Sequence, residues 1–119
     1  MNPLDLARAA ATAAEDKSAN DVVVLDVSSI LGIADAFVIA SASNTRLVGA
    51  IAVEIEDQLR ELYGISPRAV EGLDTRRWVL LDYGDVIVHV FLDEEREYYR
   101  LERLYGDAPR VELDSERSA

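Results

Sequence analysis

The 119-residue sequence contains no cysteine and a single histidine. The absence of cysteine excludes a disulfide framework and thiolate chemistry, and it favours the cytoplasm. One histidine without cysteine is too few ligands for a structural zinc site. No run approaches the ~20 apolar residues of a membrane span, and the N-terminal MNPLDLARAA lacks the basic and long apolar regions of a secretory signal. We therefore expect a cytoplasmic protein without a membrane segment.

Basic residues are also scarce. The chain has 12 Lys and Arg against 23 Asp and Glu, which gives a formal net charge of -11. Nucleic-acid binding depends on basic side chains that neutralise phosphates, so we expect no direct contact with nucleic acid. Such a surface is steered toward basic partners, of which ribosomal proteins are one class. The alternative is that the acidity only keeps the protein in solution.

The order of apolar patterns predicts one domain over residues 1–109 and a polar, flexible tail over 110–119. Helices, strands and a hairpin follow one another as α-β-β-α-β-β-β-α. This order indicates an α/β fold with a mixed sheet of about five strands and helices packed on it. The expected helices cover 4–15, 45–63 and 93–105, and the expected strands cover 22–27, 36–40, 68–71 and the two arms of a hairpin at 77–92.

The stretch 78–91 reads WVLLDYGDVIVHVF and predicts the hairpin, because two apolar runs flank a polar turn. We favour a connection with an even number of residues, either Tyr83-Gly84 or the four residues centred on it. Period-two patterning then keeps one face apolar. This register places Trp78 opposite His89 and requires an unusual backbone conformation at Tyr83. A three-residue loop with a glycine bulge is the alternative.

In the even register the hairpin has two unlike faces. One face is wholly aliphatic and comprises Val79, Leu81, Val86, Val88 and Val90. The other face carries Trp78, Leu80, Asp82, Asp85, Ile87, His89 and Phe91. Aromatic anchors beside charged groups are typical of protein interfaces. The alternative is that a helix covers part of this face while the aspartates sit in water at the turn.

The residue types in this sequence give little evidence for catalysis or for metal binding. A Ser-His-Asp triad needs a hydroxyl within reach of His89, and the hairpin contains no serine. Asp82 and Asp85 leave a magnesium site open in principle. The segment 41–46, SASNTR, leads from a strand into a helix, and ordinary capping explains it better than anion binding. We therefore expect neither a catalytic residue nor a cofactor.

Four motifs together resemble one known family. They are VVVLDVSSILGIADAFVIASASNTRLVGAIA, then EG, then WVLLDYGDVIVHVF, then REYYRLERLYGDAP. Over roughly residues 4–113 the chain closely resembles the ribosome silencing factor family, RsfS, also called Iojap. The resemblance implies a nucleotidyltransferase-like topology without transferase activity. The catalytic pattern of nucleotidyltransferases is a Gly-Ser turn followed by two aspartates spaced as Asp-x-Asp on a strand. Here SAS at 41–43 stands near the position of the Gly-Ser, and no Asp-x-Asp follows on a strand.

The resemblance also implies a function. Members of this family bind the large ribosomal subunit through its protein fourteen, block the joining of the subunits and repress translation when nutrients are short. The mechanism is steric exclusion, which needs no catalytic residue. Family members also form homodimers, for which the apolar part of the mixed hairpin face is a candidate.

Site residues follow from the resemblance, position by position. The expected docking residues on the hairpin are Trp78, Leu80, Asp82, Tyr83, Asp85 and His89. Weaker candidates lie beside the hairpin and on the last helix, namely Glu71, Tyr98, Tyr99 and Leu101. The alternative is that Trp78, Leu80 and Tyr99 belong to the core. Many relatives have tryptophan in place of Tyr105, so the sequence departs from the family at that position.

Overall fold

The computed structural model describes residues 2–113 and consists of a five-stranded mixed sheet with its helices. This confirms the predicted α/β class and the number of strands. Among the described residues no helix is long and apolar enough to cross a membrane. The elements are α1 (Pro3–Asp16), β1 (Asn20–Asp26), β2 (Ala36–Ala42), α2 (Thr45–Tyr63), β3 (Ala69–Glu71), β4 (Trp78–Asp82), β5 (Val86–Leu92), α3 (Asp93–Tyr99) and α4 (Leu101–Leu104).

The strands lie in the order β1-β2-β5-β4-β3. β2 and β5 are parallel and form the centre of the sheet, while the other neighbouring strands are antiparallel. A parallel pair requires a long crossover connection, and here the chain between β2 and β5 forms α2 and the hairpin partner strands. The two central strands are therefore paired with neighbours on both sides, which suits their nearly continuous apolar sequences.

Helices α1 and α2 cover one face of the sheet. Asn2 and Asn44 cap them, each accepting a hydrogen bond of 2.8 Å from a backbone N–H of the first turn. Gly64 ends α2 in the left-handed conformation. The buried side of α1 consists of one leucine and five alanines, so α1 lies close to α2 and the sheet. This side of the sheet is the main hydrophobic core.

The last predicted helix is divided into two. The chain adopts a left-handed conformation at Arg100, with φ of 49°, which separates α3 from α4. Asp93, a residue type that often caps helices, does not cap this one, because Leu92 holds the capping position. The Asp93 carboxylate instead accepts hydrogen bonds from the side-chain amide of Asn20. An aspartate in a first turn thus stabilises the helix electrostatically without capping it.

The C-terminal segment runs along the outer edge of β1. The amide of Asp26 donates to the carbonyl of Pro109 at 2.8 Å, and the amide of Val111 donates to the carbonyl of Val24 at 2.8 Å. Residues 110–113 were expected in the flexible tail, but the structure holds them against the sheet. Residues 114–119 of that predicted tail lie outside the described residues.

The hairpin connection contains an even number of residues, as predicted, but its register is shifted by two. Trp78 pairs with Phe91 rather than with His89, so the loop is Gly84-Asp85. A shift of two residues leaves every strand side chain on the same face, because the period of a strand is two. The predicted division into two faces is therefore confirmed, and the predicted pairing is wrong.

The shifted register also moves the unusual backbone conformation. Gly84, not Tyr83, has the positive φ, at 89°. Glycine lacks a Cβ and adopts this conformation at little cost. The Asp82 carboxylate accepts a hydrogen bond of 2.8 Å from the Gly84 amide and so stabilises the turn. The position of this glycine predicts the turn better than the symmetric placement of Asp82 and Asp85 around Tyr83-Gly84.

Candidate interaction surface

The sheet face opposite α1 and α2 is only partly covered. Leu101, Tyr105 and Ala108 from the C-terminal segment pack on the β1–β2 half, together with the buried Leu25 and Phe37. The half formed by β5, β4 and β3 leaves a groove of about 280 Å³. We call it the His89 groove, and its lining includes Ile33, Phe37, Arg68, Glu71, Leu80, Asp82, Ile87 and His89.

Strand alternation explains this lining. Leu80 and Asp82 on β4 and Ile87 and His89 on β5 point away from the helices, while their sequence neighbours are buried beneath α1 and α2. Phe37 reaches the groove from β2, because the parallel pairing places it beside Ile87. The groove is thus an apolar surface in the middle of the sheet with charged groups along one side.

His89 forms the most constrained part of the groove. It is 5% exposed, and its Nδ1 accepts a hydrogen bond of 3.1 Å from Nε1 of Trp78. The Phe37 ring packs against it edge to face, with 4.9 Å between ring centroids. Burial lowers the pKa of His89 to about 4, since a charged imidazole would lose its hydration there. The side chain is therefore neutral near pH 7.

Trp78 connects the groove to the last helices through aromatic contacts. Its ring lies 4.8 Å from that of Phe91 and 4.8 Å from that of Tyr99, between centroids. Tyr99 in turn contacts Tyr98, which is 80% exposed. A row of aromatic rings thus extends from the buried sheet to the surface of α3. Leu101 packs against the same cluster and is half-buried.

The charged groups at this face are partly paired within the chain. Asp82 forms an ion pair with Arg68, with 3.1 Å between Oδ1 and Nε. Glu95 near the Trp78 end forms another with Arg77 at 2.8 Å. Glu71 is exposed and forms no ion pair among residues 2–113. The acidic character expected here is present, but Asp82 already has a basic partner.

The structure does not bring Tyr83 to this face. Tyr83 follows the alternation of β4 and packs against the helix-covered core, where its hydroxyl is buried. Burial, with a smaller contribution from the Glu56 carboxylate, raises its pKa to about 12. Tyr83 was predicted to lie in the hairpin loop and in the docking surface, but the shifted register extends the strand alternation to it and turns its ring toward the core.

Asp85 is likewise separated from the groove. It is exposed at the hairpin tip and lines two small cavities beside Asn2 and Ser28, neither of which includes Asp82. Its backbone carbonyl accepts hydrogen bonds from the amides of Asp35 and Ala36. The two aspartates therefore do not form a shared magnesium site. Within residues 2–113 no group of three or more metal-capable side chains is assembled.

Sequence reasoning missed three residues of the groove. Phe37 was assigned to a strand but not to the site, because nothing local indicates that β2 pairs with β5. Arg68 was assigned to a short strand, and its pairing with Asp82 depends on the register of β3. Ile33 lies in the loop before β2 and is 85% exposed. An exposed isoleucine in a loop is a weak signal by itself.

A larger cavity of about 610 Å³ lies at the carboxyl ends of β2 and β5. Arg96 occupies it and donates to the carbonyl oxygens of Asn20 and Asp21 at 3.1 and 2.7 Å. It also donates to the Ser41 hydroxyl at 3.1 Å and to the Glu102 carboxylate at 3.3 Å. The guanidinium is thus used within the fold, where it anchors a bulge of β1.

The SASNTR turn borders that cavity, and its polar groups serve the fold. Ser41 is buried and bound by Arg96, and the Asn44 side chain caps the first turn of α2 through the Leu47 amide. The predicted capping role is confirmed. A phosphate at this turn would compete with the side-chain oxygen of Asn44 for the Leu47 amide, which already has its hydrogen bond.

Comparison with known proteins identifies the family. Residues 1–119 match the family described as "Ribosomal silencing factor during starvation", RsfS. The chain belongs to the ribosomal silencing factors. Among its relatives in this family is "Ribosomal silencing factor RsfS" of Bacillus subtilis, which is 48% identical over 114 residues and is matched over 96% of each chain.

The silencing-factor fold is also seen in crystal structures. A protein from Chromobacterium violaceum superimposes with a TM-score of 0.85 at 34% identity, covering 89% of this chain and 88% of that one. A more distant relative is "Mitochondrial assembly of ribosomal large subunit protein 1" of Mus musculus, 33% identical over 91 residues. That match covers 75% of this chain and 40% of the mouse protein.

Proposed function

We propose that this ribosomal silencing factor binds protein fourteen of the large ribosomal subunit through the His89 groove and the adjoining Trp78–Tyr99 aromatic row. Bound there, it blocks subunit joining by steric exclusion and represses translation when nutrients are limiting. The observation that carries the proposal is a half-open aromatic sheet face on a domain whose other sheet face is largely covered by α1 and α2.

The composition of the face supports docking. Trp78 and Leu80 are half-buried, and Tyr98 is largely exposed, so large apolar groups remain available to a partner. Tryptophan and tyrosine are the side chains that most often dominate the free energy of protein interfaces. Exposure of this apolar area to water does not stabilise a monomer, so the area is more simply explained by a partner that covers it.

The charge of the chain supports a basic partner. With a net charge of -11, the whole molecule attracts positively charged surfaces, and Glu71 at the groove forms no ion pair within the described part of the chain. Direct contact with ribosomal RNA is disfavoured by the same charge. Docking on the ribosome also agrees with a cytoplasmic location.

The family supports the choice of the large subunit. The mouse relative carries the large ribosomal subunit in its name, and the bacterial relatives are named as ribosomal silencing factors. Steric exclusion requires a well-placed surface and no reacting group. We therefore propose a non-enzymatic repressor, and the use of Arg96 and Asn44 within the fold supports this.

Co-sedimentation with isolated large subunits tests the proposal, followed by a subunit-joining assay. Leu80→Arg places a charge in the groove, whereas Val53→Arg places the same charge on an exposed position of α2. We expect the wild type and Val53→Arg to bind and to inhibit joining, and Leu80→Arg to do neither. Unchanged joining at saturating wild-type protein would contradict the proposal.

The same face supports self-association. Exposed Ile33 and half-buried Leu80 line the groove and would be covered in a homodimer as well as on the ribosome. We therefore propose that dimer formation and docking compete. Sedimentation equilibrium of the wild type and Leu80→Arg provides the measurement, and a dimer that persists unchanged in the variant contradicts this use of the face.

A further inference from the structure

One buried polar atom in the groove has no partner in the fold. Among the described residues three buried side-chain atoms lack a hydrogen bond, namely Tyr83 Oη, His89 Nε2 and Glu102 Oε2. Of these three residues His89 alone is almost fully buried, and it lines the His89 groove. A buried polar atom without a partner destabilises a folded chain, so such an atom in a candidate site requires an explanation.

The Trp78 hydrogen bond determines which atom of the imidazole carries the proton. An indole N–H can only donate, so Nδ1 of His89 must offer its lone pair. In a neutral imidazole the single proton then lies on Nε2. His89 is therefore an N–H donor held by Trp78 on one side and by the Phe37 ring on the other. An aromatic ring is at best a weak acceptor for it.

We infer that the Nε2–H of His89 donates to a neutral acceptor oxygen, a backbone carbonyl or side-chain amide oxygen, of the protein segment that enters the groove. This inference rests on the proposed function and specifies the chemistry of the partner. Nε2 is shielded from solvent in the free chain, so the entering segment must displace the side chains that cover it before it supplies the missing hydrogen bond. Its apolar atoms then cover Ile87 and Leu80.

Charge and size select this occupant. Arg68 and Asp82 at the groove already pair with each other, which leaves the Glu71 carboxylate to repel an anionic acceptor, whereas a neutral oxygen on a basic protein meets no such repulsion. At about 280 Å³ the groove is at the lower limit of small-molecule pockets, which span roughly 300–1,000 Å³. It suits a side chain or a short turn of a protein better than a free ligand.

The single histidine allows a direct measurement on the wild-type protein. Because the chain contains one histidine, ¹⁵N-histidine labelling gives the spectrum of His89 alone. We expect the free protein to show the neutral Nε2–H form. Addition of purified protein fourteen should shift the Nε2–H proton downfield and slow its exchange with water. Binding that leaves this signal unchanged overturns the inference but not the proposed function.

Two variants give an independent test by affinity. His89→Gln retains an N–H donor near the Nε2 position, whereas His89→Phe fills similar space without a donor, and both lose the acceptor for Trp78. We expect about a tenfold loss of affinity for protein fourteen with His89→Phe and less than about threefold with His89→Gln. Thermal unfolding of both variants reports the folded fraction for which the affinities are corrected.

The outcomes separate the two proposals. Equal affinities of His89→Phe and the wild type, or equal losses in both variants, overturn the donor role of Nε2. Wild-type protein that does not bind protein fourteen at all overturns the proposed function and the donor role together.

Discussion

The two faces of the β4–β5 hairpin differ although they share one backbone. The face toward α1 and α2 consists of Val79, Leu81, Val86, Val88 and Val90, each fully buried. The opposite face combines half-buried Leu80 and Ile87 with buried His89 and a charged Asp82. The first face contains nothing that a partner could recognise, and the second contains more polar and aromatic groups than a core needs. If the proposed docking holds, alternate residues of the same strands serve stability and recognition.

Adjacent leucines on β4 offer the sharpest test of this division. Leu81→Ala leaves a cavity in the core and should lower the free energy of unfolding by about 3 kcal/mol. Leu80→Ala removes a half-buried side chain and should cost about 1 kcal/mol or less. Urea denaturation of the two variants measures both values. Equal losses would show that the open face is part of the core.

Trp78→Ala should have the largest effect on binding. Loss of the indole removes the centre of the aromatic row and should weaken docking on the large subunit by about 2 kcal/mol or more. The variant also loses packing against Phe91, so its stability must be measured in parallel. Docking that follows the folded fraction alone would show that Trp78 supports the fold and does not contact the partner.

The buried histidine predicts a pH dependence of stability. The pKa of His89 is about 4 in the folded chain and 6.5 in an unfolded one, so below pH 6.5 the unfolded chain takes up a proton that the folded chain does not bind. The His89 contribution is complete above pH 6.5 and is lost as pH falls toward 4. Between pH 7.5 and 5 this amounts to about 2 kcal/mol of unfolding free energy.

The matched measurement compares the wild type with His89→Gln over that range. Both proteins share the carboxylates Asp82 and Glu71 and the guanidinium of Arg68 at the groove, so their difference isolates the imidazole. The wild type should lose stability more steeply than the variant. Parallel curves would mean that His89 is accessible to water and titrates as in a free peptide.

Asp82 gives the smallest expected effect. Asp82→Asn keeps an acceptor for the Gly84 amide but removes the charge, and it should weaken docking by about 1 kcal/mol at low salt. Asp57→Asn is the control, because Asp57 also pairs with an exposed arginine but lies on α2. Association rates measured against salt concentration distinguish them. Equal behaviour of both variants would remove electrostatics at the groove from the proposal.

Local patterns were sufficient to predict most of the fold. The alanine-rich helix, the apolar stripe of α2 and the valine alternation of β5 each indicate their element without reference to the rest of the chain. The break at Arg100 could not be predicted, because no glycine or proline marks it and the left-handed conformation there depends on tertiary packing. The shifted hairpin register was decided by Gly84, whose backbone freedom outweighed the symmetric placement of the aspartates.

Strand parity predicted only the hairpin part of the candidate site, and Glu71 followed from the family resemblance. Trp78, Leu80, Asp82 and His89 share a face by parity alone, which requires no knowledge of other strands. The contributions of Phe37 and Arg68 depend on pairings between distant segments, and no local signal specifies them. The hydrogen bond between Trp78 and His89 could not be predicted, because the sequence indicates only that both side chains lie on one face and not how far apart they are.

Gly72 controls the groove from outside it. A Cβ added at Gly72 would lie 2.0 Å from the backbone oxygen of Trp78, and Gly72 has a φ of 87°. Any larger residue there must push the first residue of β4 aside, although Gly72 itself does not line the groove. Variation at this position would therefore change the indole's placement without altering the chemistry of the surface. The proposed docking surface thus depends on a residue that contributes no side chain to it.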